Sequence, residues 1–155
     1  MAFGRKARIE ALGGGRYAVR LSDDERAVVG DLVGQLRGLL LDGSSDALAR
    51  LFPPAYPDDP EREAEYRSLV RDDLLASKLD ALDAVEATLQ ETEVDEPQLV
   101  AWMTSVNSVR LALGTILGIV ADDQDLEVTA ENRGTVQLFD YLGGLVAQIV
   151  DAVAP

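Results

Sequence analysis

PQLVAWMTSVNSVRLALGTILGIV, residues 97 to 120, is long enough for a full helix and apolar on nearly every side, with Asn107 and Arg110 set inside it. At about 100 degrees per residue, Leu99, Trp102, Val106, Val109, Leu113, Ile116, Leu117 and Val120 form a wide stripe. Met103, Asn107, Arg110 and Gly114 line a second stripe. A helix apolar around most of its girth is normally buried, so this stretch predicts the central helix of a helical core. Gly114 and Gly118 each cost about 1 kcal/mol of helix propensity, and their lack of a side chain permits a neighbouring backbone to come close.

Working outward, Asp122 to Thr129 reads as a polar link in which Leu126 and Val128 anchor a short extended piece, and Glu131 to Val153 repeats the helical spacing. Upstream, Glu91 to Glu96 is an acidic link. Before it, Tyr66, Leu69, Val70, Leu74, Leu75, Leu79, Leu82, Val85 and Leu89 mark a long helix whose apolar stripe drifts around its axis. Asp59 is placed to cap that helix, and Pro60 stands at its first position, where a missing N–H costs nothing. The preceding LFPPAYPDDP, residues 51 to 60, carries four prolines and excludes regular helix or central strand. Asp46 to Leu51 reads as a short turn or helix.

A first helix is expected from Ser22-Asp23-Asp24-Glu25, a capping box in which the serine accepts a helix N–H and the glutamate reaches back. Val28, Val29, Leu32, Leu36, Leu39 and Leu40 continue it, and Asp42-Gly43 stops it. Residues 1 to 21 alternate instead: Ile9 and Ala11, then Tyr17, Val19 and Leu21, flank Gly13-Gly14-Gly15. That predicts a β-hairpin packed on the helices, because a lone hairpin is marginal in water. Its outward positions, Arg5, Lys6, Arg8, Arg16 and Arg20, face one acid, Glu10, so the segment is net +4 while the remainder is net -18.

The chain of 155 residues has the size of one domain, so residues 1 to 155 are expected to form a single domain with a basic hairpin (1–21) and a helical body (22–155). The fold class is mainly α, a four-helix bundle-like domain with a small N-terminal β-hairpin. A net charge of -14 argues against generic nucleic-acid binding. The longest strictly apolar or small run, Leu111 to Ala121, is shorter than the roughly 20 residues of a spanning helix, and no secretory signal pattern opens the sequence. No membrane role and a cytoplasmic location are therefore expected. With no cysteine and no histidine, thiol chemistry, thiolate metal sites, imidazole bases and imidazole pH switches are excluded.

Arg110 is the charged residue that most needs a partner, since a guanidinium among apolar groups is costly without a carboxylate. On the helical wheel Asp73 falls with Tyr66, Leu69 and Val70, which predicts an Arg110–Asp73 pair with Asn107 completing a polar core. The alternative makes Arg110 the clamp of a small-ligand site. Trp102 reads as core filling. Asp123-Gln124-Asp125-Leu126-Glu127 begins like a calcium loop, but Val128 and Gly134 replace the required glycine and glutamate. Gly13-Gly14-Gly15 lacks the rest of any phosphate-binding motif, and Ser77-Lys78 are adjacent on a helix and face different ways. No catalytic, metal or cofactor site is expected. The basic hairpin is either an internal complement to the acidic helices or a contact surface for an acidic partner; direct DNA binding, through a two-stranded ribbon in a groove, is disfavoured by the charge of the body.

LFPPAYPDDPEREAEYRSLVRDDL, Leu51 to Leu74, followed by a helix carrying Trp102, Asn107, Arg110, Leu113 and Gly114, resembles the actinobacterial domain-of-unknown-function family 2017. The resemblance covers most of the chain, including the helix start at Leu21-Ser22 and the last helix. It implies small, intracellular, non-enzymatic proteins, often encoded beside the ClpS adaptor of the Clp protease, with some relatives labelled oxidative-stress transcription regulators. Oxidant sensing through cysteine does not carry over to a chain that has none. The expected function is that of a non-catalytic regulatory protein acting through a sigma factor or another transcription component. The alternatives are an accessory protein of the ClpS/Clp system and a small-ligand-binding bundle. A homodimer through a free hairpin edge is compatible with the pattern.

Overall fold

A computed structural model describes residues 7–119 and 126–154. Arg5, Lys6 and the Asp123–Asp125 stretch weighed as a calcium loop lie outside the described residues. Strands β1 (Ile9–Gly13) and β2 (Arg16–Val19) are followed by helix α1 (Asp23–Asp42), a 3-10 turn (Asp46–Leu48) and helix α2 (Pro60–Thr88). Strand β3 (Glu93–Asp95), helix α3 (Glu96–Ile116) and helix α4 (Arg133–Val153) complete the chain.

The helix ends form where short side chains can accept backbone N–H groups. Ser22 Oγ accepts from the Glu25 N–H at 3.1 Å, Asp59 accepts from the Arg62 N–H at 3.2 Å with Pro60 following, and Gly43 closes α1 at φ 75° with its N–H donating to Leu39 O. The full capping box lies elsewhere than expected. Asp95 and Gln98 exchange side-chain and backbone bonds at the start of α3, while the Glu25 carboxylate turns away from Ser22 towards Arg8 and Tyr141.

The hairpin forms with Gly13, Gly14 and Gly15 all at positive φ, the conformation that only glycine adopts without strain. Its inward side differs in one place: Ala11, opposite Tyr17 and just before a register shift, is exposed, whereas Ile9, Tyr17, Val19 and Leu21 are buried. The acidic link also contains a strand. β3 pairs antiparallel with β2, Val94 opposite Tyr17, so the sheet has the order β1-β2-β3. Val94, fully buried, supplies the inward side chain; three residues among carboxylates are too few for alternation to declare itself.

α3 packs between α2 and α4, with α1 and the sheet closing the core. Leu99, Trp102 and Val106 are sealed, together with Val85 of α2, Ile149 of α4 and Val29 and Val33 of α1. At Gly114 the close approach is made by side chains and not by the neighbouring backbone expected: an added Cβ would lie 3.1 Å from Arg50 Nη1 and 3.2 Å from Phe139 Cε2. Gly118 instead takes φ 82°, just beyond the end of α3. Leu126 is half-buried and Val128 exposed, without a strand there. By length and composition Glu96–Ile116 and Arg133–Val153 are each apolar enough to cross a membrane, which the count of an uninterrupted apolar run passes over because polar residues break both.

Candidate functional site at the proline loop

α2 has no fully buried residue before Leu82. The helix is anchored by its last two turns, through Leu82, Val85 and Thr88, and its first half presents a partly uncovered apolar face. Leu69 is 72% exposed, beside half-buried Tyr66 and Val70. The proline loop folds back onto this face: the Tyr56 and Tyr66 rings meet edge to face at 6.3 Å, and the Arg62 guanidinium lies 5.7 Å from the Tyr56 ring. The loop is fastened by Glu63, which accepts from the Tyr56 N–H at 2.9 Å and from Arg67 Nε at 2.8 Å. Those two bonds hold the Glu63 carboxyl below the ordinary carboxylate range. The result is a shallow depression of about 300 Å³ whose lining includes Tyr56, Arg62, Tyr66 and Leu69. Exposed aromatic and arginine side chains around an apolar centre are the chemistry of a protein contact surface.

The described residues of the basic hairpin have different surroundings from those of a free cationic face. Arg8 Nε meets Glu25 at 2.9 Å, Arg16 Nε meets Glu93 at 2.9 Å and Arg20 Nη2 meets Glu10 at 2.6 Å. Each arginine thus has a carboxylate of its own chain, the arrangement of an internal complement. Arg8 is also 5.5 Å from the centre of the Tyr141 ring, and its backbone N–H donates to Gln148 Oε1. β1 and α4 are joined there, with Glu25 at the junction, accepting from Arg8 and from the Tyr141 hydroxyl at 2.8 Å.

Burial pushes the Glu25 carboxyl up, but the hydrogen bonds from Arg8 and Tyr141 and the charges of Arg8 and Arg26 outweigh it and hold the group below its ordinary value. Burial and the neighbouring Glu25 push the Tyr141 hydroxyl well up, so it stays a donor. A carboxyl with a lowered folded pKa contributes stability above its unfolded value, lost as the pH falls through the folded one. The difference in Tm between the parent chain and Glu25→Gln is therefore expected to be largest above about pH 5 and to shrink as the pH drops below about 4. Thermal unfolding followed by circular dichroism across that range checks this; a constant difference would rule out the ionised Glu25 as its source.

The predicted Arg110–Asp73 pair is absent among the described residues. Arg110 Nε and Nη2 donate to Asn107 Oδ1 at 3.3 and 3.1 Å, and the guanidinium lies 5.5 Å from the Phe139 ring of α4. Asp73 is exposed. The wheel placed Asp73 with Tyr66, Leu69 and Val70 correctly, but that face belongs to the half of α2 outside the core, so sharing it brings nothing inward. Arg110 and Asn107 are both half-buried and open onto separate clefts. Arg110 lines one of about 340 Å³ with Phe139, Val136 and Asp140. Asn107 lines another of about 390 Å³ with Met103, Lys78 and Val150.

Sequence reasoning missed Arg26. Its side chain is buried, and it donates to four backbone carbonyls: Leu21 O at 3.1 Å, Val19 O at 3.0 Å, Leu89 O at 2.6 Å and Glu91 O at 2.9 Å. It sits directly after Glu25 in a run of charges, and only the segments it joins, after β2 and after α2, reveal its role. Among the described residues, no group of three or more Asp, Glu, His or Cys side chains is placed to hold a metal.

The family model described as Domain of unknown function (DUF2017) matches residues 6–153. The "Putative oxidative stress regulator AosR" of Mycobacterium leprae is 30% identical, over 72% of this chain and 70% of that protein. The "Oxidative stress regulator AosR" of Mycobacterium bovis and that of Mycobacterium tuberculosis are each 29% identical, over 74% of this chain and 71% of theirs. No solved structure matches the chain.

Proposed function

The chain belongs to the DUF2017 family, and from that premise we propose that it acts, as a single cytoplasmic domain, as a non-catalytic regulator of stress-response transcription. Its contact is with a protein, a sigma factor or another component of the transcription machinery. The observation that carries the reading is the surface formed by exposed Tyr56 and Leu69 with half-buried Tyr66, on and beside the half of α2 that the core leaves uncovered. The names of the relatives support a regulatory role, and the absence of cysteine requires an input other than thiol oxidation. The pairing of Arg8, Arg16 and Arg20 with Glu25, Glu93 and Glu10 favours the α2 surface over the hairpin as the contact. A second reading, an accessory protein of the ClpS/Clp system, rests on the family resemblance alone.

Leu69→Glu is the discriminating variant. An exposed side chain away from the core changes stability by at most about 0.5 kcal/mol, whereas a charge placed at the centre of a contact surface costs at least tenfold in affinity. The parent chain, Leu69→Glu and Arg16→Glu are to be tested for binding to the native cell's sigma factors, RNA polymerase subunits and ClpS. Binding of a transcription component that is lost in Leu69→Glu and kept in Arg16→Glu is the expected result. Binding of ClpS alone would favour the second reading, loss in Arg16→Glu alone would return the contact to the hairpin, and no binding to any of them would sink both readings.

A further inference from the structure

The cleft of about 390 Å³ between α2, α3 and α4 has a composition at odds with the rest of the molecule. The chain carries twice as many acids as bases, 28 against 14, yet the lining of this cleft contains Arg50 and Lys78 and neither Asp nor Glu. Met103, Leu111, Val146 and Val150 make its apolar wall. We propose that it is a binding site for a small anionic amphiphile, a carboxylate with a short aliphatic or arylalkyl body, whose head group is held by Lys78 and Asn107.

Lys78 makes no ion pair or hydrogen bond among the described residues; its ammonium lies 5.9 Å from the centre of the Phe52 ring. Burial lowers its pKa from the ordinary lysine value, a cost that an anion beside it would reverse. Asn107 is held by its oxygen, which accepts twice from Arg110. That leaves the two N–H groups of the amide to offer to a ligand. A cationic head and a fixed amide donor in one lining, with thioether and branched aliphatic carbons beside them, match a carboxylate and a short apolar body. The volume falls in the range of small-molecule sites, about 300 to 1,000 Å³.

Octanoate and 3-phenylpropionate serve as probes, with octanol and octylammonium as the neutral and cationic controls, titrated into the full-length protein labelled with nitrogen-15. Saturable shifts centred on the amides of Met103, Asn107 and Val150 are expected for the two carboxylates and not for octylammonium. Lys78→Met removes a half-buried charge that has no ion pair among the described residues and so keeps the fold; it is expected to weaken octanoate at least tenfold, with Lys78→Arg retaining most of the affinity. Asn107→Asp, which leaves Arg110 a better acceptor while facing the ligand with negative charge, is expected to weaken it similarly. Undiminished octanoate binding in Lys78→Met, equal shifts from octylammonium, or no saturation below about 10 mM, a Kd weaker than any ordinary small-ligand site, would overturn the assignment.

Discussion

Replacing Arg26 with methionine is expected to cost about 3 to 5 kcal/mol, the range for breaking a buried charged hydrogen-bond set, and to lower Tm by about 10 °C or more for a domain of this size. The methylene stem would be replaced almost atom for atom, so the loss reports the guanidinium. Four carbonyls lose this donor at once: Val19 at the end of β2, Leu21 in the link to α1, Leu89 at the C-cap of α2, and Glu91 beyond it. α2 has no basic residue in its last turn and ends without glycine, so a cation from α1 supplies what its own sequence lacks, at the negative end of the helix dipole. Arg26→Lys is expected to recover only part of the loss, because one ammonium has three donors and no planar fork to reach carbonyls on separate segments. Denaturant unfolding of the two variants beside the parent chain checks the order; a lysine variant as stable as the parent would show that the charge and not the fork is what matters.

The second large effect is expected at Trp102. Its ring is fully buried and its Nε1–H donates to Thr88 Oγ1 at 2.7 Å, while the Thr88 hydroxyl donates to Ala84 O at 2.8 Å. Trp102→Ala would open a cavity at the meeting of α2 and α3 and cost about 3 to 5 kcal/mol. Trp102→Phe keeps most of the ring and loses the hydrogen bond, and Thr88→Val leaves the indole N–H without its acceptor; about 1 to 3 kcal/mol is expected for the latter. Because Trp102 is the one tryptophan of the chain, its fluorescence reads unfolding in Thr88→Val, whereas the Trp102 variants need circular dichroism. A Thr88→Val chain that unfolds with the parent would mean that the indole finds another acceptor.

These two residues show what was legible beforehand and what was not. Trp102 stands on the apolar face of a strongly periodic helix, and its burial follows from spacing alone. The helix starts at Ser22 and Asp59 and the stop at Gly43 were legible for the same kind of reason, since local backbone chemistry decides them. Arg26 was not, because the groups that satisfy it lie on segments as far as 65 residues away. β3 was hidden by its length: one valine between acids carries no period, and only β2 beside it makes the segment a strand. For Asp73 and Arg110, rotation about each helix axis was read correctly, but how far α2 extends past the core before its face matters is a property of the packed molecule. The hairpin's charges were legible as a cluster, but of their partners Glu25 read as a capping residue and Glu93 only as a member of an acidic link. Lys78 entered the sequence reading only beside Ser77, because Phe52 and the α3 residues that surround it are distant in the chain.

The sheet carries a consequence for the order of assembly. β1 and β2 are neighbours in the chain and can close within microseconds, the time of an isolated hairpin. β3 is different: Arg16 and Glu93, which pair across β2 and β3, are 77 residues apart, and the Arg8 N–H and the Gln148 side chain are 140 apart. Closing such loops costs entropy that only the docking of α1 and α2 repays. On a ribosome the hairpin therefore emerges with one edge of its central strand open and keeps it open until α1 and α2 have followed. The third strand is the latch that closes that edge, and its two flanking carboxylates keep so short a segment soluble until it arrives.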